Sequence, residues 1–358
     1  MKTISFLFPA PALRPAGGYM MALEYANRLI KEGYRVNIIY AGSIFWSKKK
    51  LFYKGTSIIR YFQKLLKGYS SRKWFPLDIR IKEFLSLSLS QRHVPKSDIY
   101  ICSTPITAQY LNDFNFPASK KFYFIQGYEN WGGITEEELF NTYHFEMSKM
   151  VVSKWLQNLL ISQNIECTLV PNGFNTHLFK CFINIKKRSK LAIGIVYNKV
   201  PVKGFNIGYD AILNVKAKYP ELEVYVFGTF PRPHFLDSDF KYIFSPTQKE
   251  IVQLYNMFSI FVAPGIQEGF GLTVGEAMLC GAAVVCTDND GYKEMAIDNI
   301  NALVSPIKDS KAMANNIIRL IENDELRIRL AERGNKDIQK FNIENSYLKF
   351  KKALGLEN

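Results

Sequence analysis

Residues 268–278 read EGFGLTVGEAM. Two carboxylates, Glu268 and Glu276, bracket Gly269, Gly271 and Gly275. Glycine is poor helix material, so the run serves something other than regular structure. It follows an apolar stretch, Ile260–Ala263, and the turn Pro264-Gly265. The pattern reads as strand, glycine loop, then helix over Thr273–Leu279. Glu268 therefore falls in the loop past the carboxyl end of a strand. Gly269 and Gly271 let the backbone bend and approach a ligand closely. The amides of Phe270, Leu272 and Thr273 are among those a helix start leaves unpaired, and such a start attracts phosphate. Glu276 follows in the first turn or so, where its carboxylate can accept two hydrogen bonds from a diol such as a ribose. Glu268 can do the same for sugar hydroxyls. Helix capping alone accounts for Glu276, but not for Glu268 with its glycines.

Outward from this stretch, short apolar runs alternate with helical periodicity, the pattern of βα units and a parallel sheet. The chain has 358 residues, more than one core usually holds, so two domains are expected. The first half offers strands at Ile4–Phe8, Arg35–Tyr40, Ile99–Cys102, Phe122–Gln126, Met150–Ser153 and Cys167–Val170. The second offers Leu191–Tyr197, Glu223–Phe227, Tyr242–Phe244, Ile260–Ala263, Ala283–Thr287 and Ala302–Val304. We expect an N-terminal domain over 1–180, a linker over 181–190 and a C-terminal domain over 191–341. A last amphipathic helix within 342–358 would return to complete the first domain. Two doubly wound domains would face each other across a cleft, with ligands beyond the carboxyl ends of the strands.

Composition excludes several classes. Hydrophobic residues make up 47 %, so the chain is not disordered. The five cysteines are scattered and form no C-x-x-C, which argues against a disulfide framework or a zinc site and for a reducing compartment. Cys280 and Cys286 sit in apolar stretches and read as core. The four histidines have no metal-ligand spacing. The opening MKTISFLFPAPA has the outline of a short signal peptide, but Pro9 breaks it, and we read a first strand. No apolar run reaches the about 18 residues of a membrane span.

Net charge is +14. Residues 1–180 hold 23 basic and 12 acidic residues, a net of +11, and the remainder 23 and 20, a net of +3. Trp46–Lys96 carries 13 of the basic residues and two acids. Phe52, Tyr53, Tyr61, Phe62, Leu65, Leu66, Tyr69, Trp74 and Phe75 interleave with them. Basic residues among aromatics suit an anionic membrane surface or an acidic acceptor. They equally suit a solvated face. No nucleic-acid module accompanies the charge.

The glutamate stretch resembles the Glu, seven residues, Glu signature of family 4 of the retaining glycosyltransferases, which have the GT-B fold. Other pieces are similar to that family in order. They are AGGYMMALEYANRLIKEGYRVNIIY, VVSKWLQNLL with LVPNGFNTHLF, VPVKGFNIGYDAI, and AAVVCTDNDGYKEMAIDNINALV. Asn175 stands where aspartate is usual. The likeness is strongest over 191–305, and 46–97 match nothing of the family. It implies a metal-independent retaining transferase with no prosthetic group. Its donor, a nucleotide-diphosphate sugar, would bind the C-terminal domain, 191–341, and its acceptor, a saccharide or lipid-linked saccharide of bacterial surface polysaccharide assembly, the N-terminal domain, 1–180. The protein would be cytoplasmic, and the basic segment 46–96 offers contact with the anionic inner face of the plasma membrane as one of its two readings.

The resemblance implies roles for further residues. Gly17 and Gly18 would present amides to the diphosphate, and Lys203 its ammonium. Glu268 would hold the sugar and Glu276 the ribose. The family usually has an arginine five residues before the lysine; here Asn198 stands there, with Lys199 beside it. The family often has a histidine facing the reacting sugar; here Gln126 ends the strand, with Tyr128, Glu129 and Trp131 beyond. Gln126 can hydrogen-bond but cannot act as a base. Asp288-Asn289-Asp290 spells D-x-D, which we read as a loop rather than a metal site. The rival reading is a non-catalytic nucleotide-sugar-binding or scaffold protein, motivated by Asn198 and Gln126. A GT-B epimerase would need acid and base residues in the cleft, and none is evident in the sequence. G-x-G-x-x-G is absent, so a nicotinamide enzyme lacks its fingerprint.

Overall fold

A computed structural model describes residues 1–44, 54–130 and 133–357. Trp46, Phe52, Tyr53 and Trp131, named above, lie outside the described residues. The chain divides into two compact units, Met1–Pro171 with Ser346–Asn358, and Asn172–Asn345.

The first unit runs β1 (Thr3–Phe8), α1 (Gly17–Lys31), β2 (Arg35–Ala41), α2 (Lys54–Lys67), β3 (Lys82–Ser86), β4 (Ile99–Cys102), α3 (Pro105–Asn112), β5 (Lys121–Ile125), α4 (Glu136–Tyr143), β6 (Ser148–Val151), α5 (Lys154–Ser162) and β7 (Thr168–Leu169). Its strands form one parallel sheet in the order β3-β2-β1-β4-β5-β6-β7. Ile4 of β1 lies opposite both Val36 and Ile99. Central parallel strands are covered on both faces and so read as unbroken apolar runs. That is why Ile4–Phe8 is a strand, with Ile4, Phe6, Leu7 and Phe8 all buried. α3 and α4 each begin with a threonine capping box, Thr104 and Thr135, which satisfies the amides a helix start leaves open.

The second unit runs β8 (Ala192–Tyr197), α6 (Phe205–Lys218), β9 (Glu223–Gly228), β10 (Lys241–Phe244), α7 (Gln248–Met257), β11 (Ile260–Ala263), α8 (Leu272–Leu279), β12 (Ala283–Thr287), β13 (Leu303–Ser305), α9 (Ser310–Glu322) and α10 (Asp324–Ile338). Its parallel sheet has the order β10-β9-β8-β11-β12-β13. Cys286 is buried in β12 and Cys280 at the end of α8. Both sheets run outward in two directions from their first strand, so each has a switch point, β1/β4 and β8/β11.

The last helix, α11 (Ile343–Ala353), carries Phe350 into the first unit's core. There Phe350 stacks on Tyr25 at 4.3 Å between ring centroids, and the Ser346 and Tyr25 hydroxyls lie 2.5 Å apart. The stretch read as a linker packs onto the second unit. The buried Arg188 guanidinium donates to the carbonyls of Cys280 at 2.6 Å and of Tyr255 and Phe258 at 3.3 Å.

Three elements are not anticipated in the sequence: α2, β3 and α4. β3 is a short, partly exposed edge strand bounded by charge, the form in which sheets end and the least legible by alternation. In α2 the inward face is unusual. Tyr61 packs where a Cβ on Gly42 would fall, and Lys64 Nζ donates to the Ala41 carbonyl at 3.0 Å. Ile58, Ile59, Phe62, Leu65 and Leu66 are exposed.

Candidate active site

In the second unit, three loops at the carboxyl ends of β8, β11 and β12 lock together. After β8 a 3-10 turn, Pro201–Lys203, leads into α6 through Gly204 at φ 70°. A Cβ on Gly204 would lie 2.0 Å from the Pro264 carbonyl oxygen, so only glycine lets the first two loops touch. The Ile266 amide then donates to the Val202 carbonyl at 2.9 Å. From the third loop, the Thr287 hydroxyl and the Asn289 side-chain amide both donate to the Gly265 carbonyl, Asn289 at 2.9 Å. Gly291 lies against the backbone of Glu268. Thr287 and Asn289 are almost wholly buried. Nothing in the sequence marks Thr287, and Asn289 stands out only as the middle of Asp288-Asn289-Asp290, because their role lies in contacts distant along the chain.

This assembly brings Lys203 and Glu268 together across the β8/β11 switch point. Lys203 Nζ donates to Glu268 Oε2 at 2.9 Å. Their side chains are 38 % and 17 % exposed, so the pair is open to a ligand. Gly271 takes the left-handed conformation, φ 92°, that turns the chain into α8. A Cβ there would strike the Tyr292 ring at 2.5 Å. Among the residues expected to offer amides, Leu272 and Thr273 open α8 and are half-buried, as is Gly269. The Phe270 side chain is core, packed between Phe174 and Phe341 at centroid distances of 6.1 and 5.6 Å.

Glu276 is buried in α8, 8 % exposed, and accepts from the Tyr255 hydroxyl at 3.2 Å. Burial pushes its pKa up to about 8, against the opposing hydrogen bond. Burial thus favours its protonated form, which can donate as well as accept. Asn198 closes a turn, its Oδ1 accepting from the Val200 amide at 2.9 Å, and Lys199 Nζ lies 4.9 Å over the Phe230 ring. Asp288 and Asp290 share Lys293, at 3.4 and 3.0 Å. Among the described residues no group of three or more His, Cys, Asp or Glu could hold a metal ion.

Gln126, Gly17 and Gly18 belong to the first unit. Gly17 and Gly18 open α1, and Gln126 Nε2 donates to the Gly18 carbonyl at 2.8 Å. A Cβ on Gly18 would meet the Gln126 amide at 3.4 Å. Tyr128 is hydrogen-bonded to Glu136.

Residues 182–337 match the model of the family described as glycosyl transferases group 1. The chain is similar to the N,N'-diacetylbacillosaminyl-diphospho-undecaprenol alpha-1,3-N-acetylgalactosaminyltransferase of Campylobacter jejuni, 27 % identical over 55 % of this chain and 57 % of that protein. It is similar to the phosphatidyl-myo-inositol mannosyltransferase of Mycolicibacterium smegmatis, 21 % identical over 52 % and 50 %. The chain thus spans about half the length of the curated relatives it matches. Among solved structures, Anabaena HepE in complex with UDP and glucose has a TM-score of 0.72, with 99 % of this chain and 100 % of that chain covered at 17 % identity. The fold, two Rossmann-like units each built on a parallel sheet, is of the GT-B type.

Proposed function

We propose that the protein is a retaining glycosyltransferase. It moves a sugar from a nucleotide-diphosphate donor to a hydroxyl of a saccharide or lipid-linked saccharide. The observation that carries this reading is the Lys203–Glu268 pair at the β8/β11 switch point, where doubly wound sheets bind their ligands. Lys203 meets the diphosphate together with the amides of residues 270–273. Glu268 holds the transferred sugar and Glu276 the ribose. The bond from the anomeric carbon to the phosphate oxygen breaks, and one to the acceptor oxygen forms on the same face. The acceptor proton passes to the departing phosphate oxygen. The protein's part is to position the reactants and stabilise the leaving diphosphate, with Lys203 rather than a metal ion as the charge.

The acceptor is membrane-held in this reading. The outward apolar face of α2, Ile58, Ile59, Phe62, Leu65 and Leu66, supports it, as does the surrounding positive charge. The lipid-linked substrates in both relatives' names support it too. No described helix is long and apolar enough to cross a membrane. The second reading, a non-catalytic binder, draws on Asn198, whose side chain is spent on a turn.

A thermal-shift panel of UDP, GDP, dTDP and their sugar conjugates, on wild type and Glu276→Ala, tests the donor site. A bound nucleotide raises the midpoint by mass action. The expected result is a shift with one base that the variant loses. No shift with any nucleotide sinks the donor assignment. A shift without transfer to any acceptor favours the non-catalytic binder.

A further inference from the structure

The loop that carries Glu268 is wound round one side chain, Tyr292, to which the sequence gives no role. Tyr292 opens a short 3-10 turn after β12, Tyr292–Glu294, and is 3 % exposed. At the start of the loop, a Cβ on Gly265 would lie 2.7 Å from the Tyr292 hydroxyl and 3.3 Å from Glu268 Cγ. The hydroxyl and the stem of the glutamate therefore meet over the face of one glycine. At the end of the loop, a Cβ on Gly271 would lie 2.5 Å from the Tyr292 ring. Gly291, next to the tyrosine, presses its own Cα against the carbonyl and Cβ of Glu268. Gly265, Gly271 and Gly291 thus leave out the Cβ atoms that would hold the tyrosine and the loop apart.

Tyr292 is itself anchored to the loop it fills. Its amide donates to Asn289 Oδ1 at 3.1 Å, and Asn289 Nδ2 donates to the Gly265 carbonyl at 2.9 Å. Burial first, and the nearby Glu268 charge second, hold its phenol well above the usual range. A neutral ring can back a carboxylate without competing with Lys203, which donates to Glu268 Oε2 at 2.9 Å. Glu268 is therefore held at its stem by Tyr292 and at its carboxylate by Lys203. A glutamate side chain has much rotamer freedom to lose, so a site that needs it in one orientation gains by fixing it before the ligand arrives. The neighbouring helix is held by other groups. Phe270 packs between Phe174 and Phe341, and α8 buries Val274, Ala277 and Met278. Loss of Tyr292 would slacken Glu268 first and leave α8, with Glu276, in place.

We propose that Tyr292 is a positioning residue: it fixes the stem of Glu268 and so sets the affinity for the sugar end of the donor without touching the donor. The ligand in this statement rests on the donor reading above; the choice of Tyr292 rests on the wrapped loop. The two ends of the donor are then governed apart, the sugar through Tyr292 and Glu268, the nucleotide through Glu276 and the start of α8.

The test titrates the full chain, by calorimetry, with free diphosphates and their sugar conjugates: UDP with UDP-glucose and UDP-N-acetylglucosamine, GDP with GDP-mannose, and dTDP with dTDP-glucose. The readout is the Kd of a conjugate divided by the Kd of its own diphosphate. Glu268→Ala should raise this ratio about tenfold, the effect of losing a carboxylate's hydrogen bonds to sugar hydroxyls. Tyr292→Ala should raise it about fivefold and leave the diphosphate's Kd within about twofold of wild type. Tyr292→Phe, which keeps the ring, should hold the wild-type ratio. The double variant Tyr292→Ala with Glu268→Ala should go no further than Glu268→Ala alone, because the tyrosine acts through the glutamate. Should Tyr292→Ala not fold, Tyr292→Leu, too short to reach Gly265, takes its place with the same expectations. Effects that multiply in the double variant overturn the proposal. So does a Tyr292→Ala chain that binds diphosphate and conjugate equally poorly, the mark of a merely structural residue. A ratio raised by Glu268→Ala and unmoved by Tyr292→Ala sinks this proposal alone. Binding of no nucleotide by the wild type sinks the donor reading and this proposal together.

Discussion

The carboxyl edges of the two sheets are built in opposite ways. In the second unit the polar groups are paired before any ligand arrives: Lys203 with Glu268, Tyr255 with Glu276, Thr287 and Asn289 with Gly265. In the first unit Ser43, Gln126, Glu129 and Ser153 each keep an atom unpaired. A prepaired edge is rigid and suits a fixed ligand such as a nucleotide diphosphate. A buried polar atom left unpaired costs stability. The two edges therefore predict opposite responses to substitution: loss of function on one, and gain of stability on the other.

The largest effect belongs to the prepaired edge. Lys203→Ala should lower kcat by about a hundred- to a thousandfold, the usual result of removing one group that stabilises developing charge, and Glu268→Ala should do likewise. Because they share one ion pair, the double variant should lose less than the product of the single losses. Steady-state kinetics on all three variants measures this; full additivity would mean that the pair does not act as a unit.

Next comes Gly204→Ala. Its φ of 70° and the Pro264 carbonyl 2.0 Å from the new Cβ should cost about 2–4 kcal/mol, read from urea unfolding. A smaller cost would show that the loops after β8 and β11 are not held in contact.

A third test uses pH. Glu276 and Glu129 both have pKa values raised from 4.5 to about 8 by burial. Between these values the unfolded chain has released protons that the folded chain still holds. The stability these two groups contribute is therefore fully present below pH 4.5 and is lost as pH rises through about 8. Glu276→Gln and Glu129→Gln should each flatten part of that slope. A slope unchanged by Glu129→Gln would mean that its carboxyl is already solvated, and the contrast between the edges would weaken.

The smallest expected effect is Asn198→Ala, which opens a single turn and should cost about 0.5–1.5 kcal/mol with little change in kcat. A large fall in kcat would give Asn198 a part in catalysis that its turn bond does not suggest.

Much of this was legible along the chain. Unbroken apolar runs located the strands, and Ile99–Cys102, Ile260–Ala263 and Ala283–Thr287 match residue for residue. The glycines around Glu268 marked a loop the backbone must bend through, and Gly271 does adopt the left-handed conformation. α2 and β3 were not legible, because an edge strand and a helix with its apolar face outward lack the buried alternation that marks central elements. In Glu129 the residue type was visible, but the burial of its Oε2 was not.

The sequence by itself determined the two doubly wound sheets and the glycine-spaced acids, because apolar periodicity and glycine conformation act over a few residues. Only the tertiary structure decided that Lys203 meets Glu268 from 65 residues away, at the end of a neighbouring strand. It also decided that Asn289 locks Gly265 in place and that Ser153 leaves its helix uncapped. Pairing and its absence are set by which strand ends lie side by side, and strand order is a property of the folded sheet.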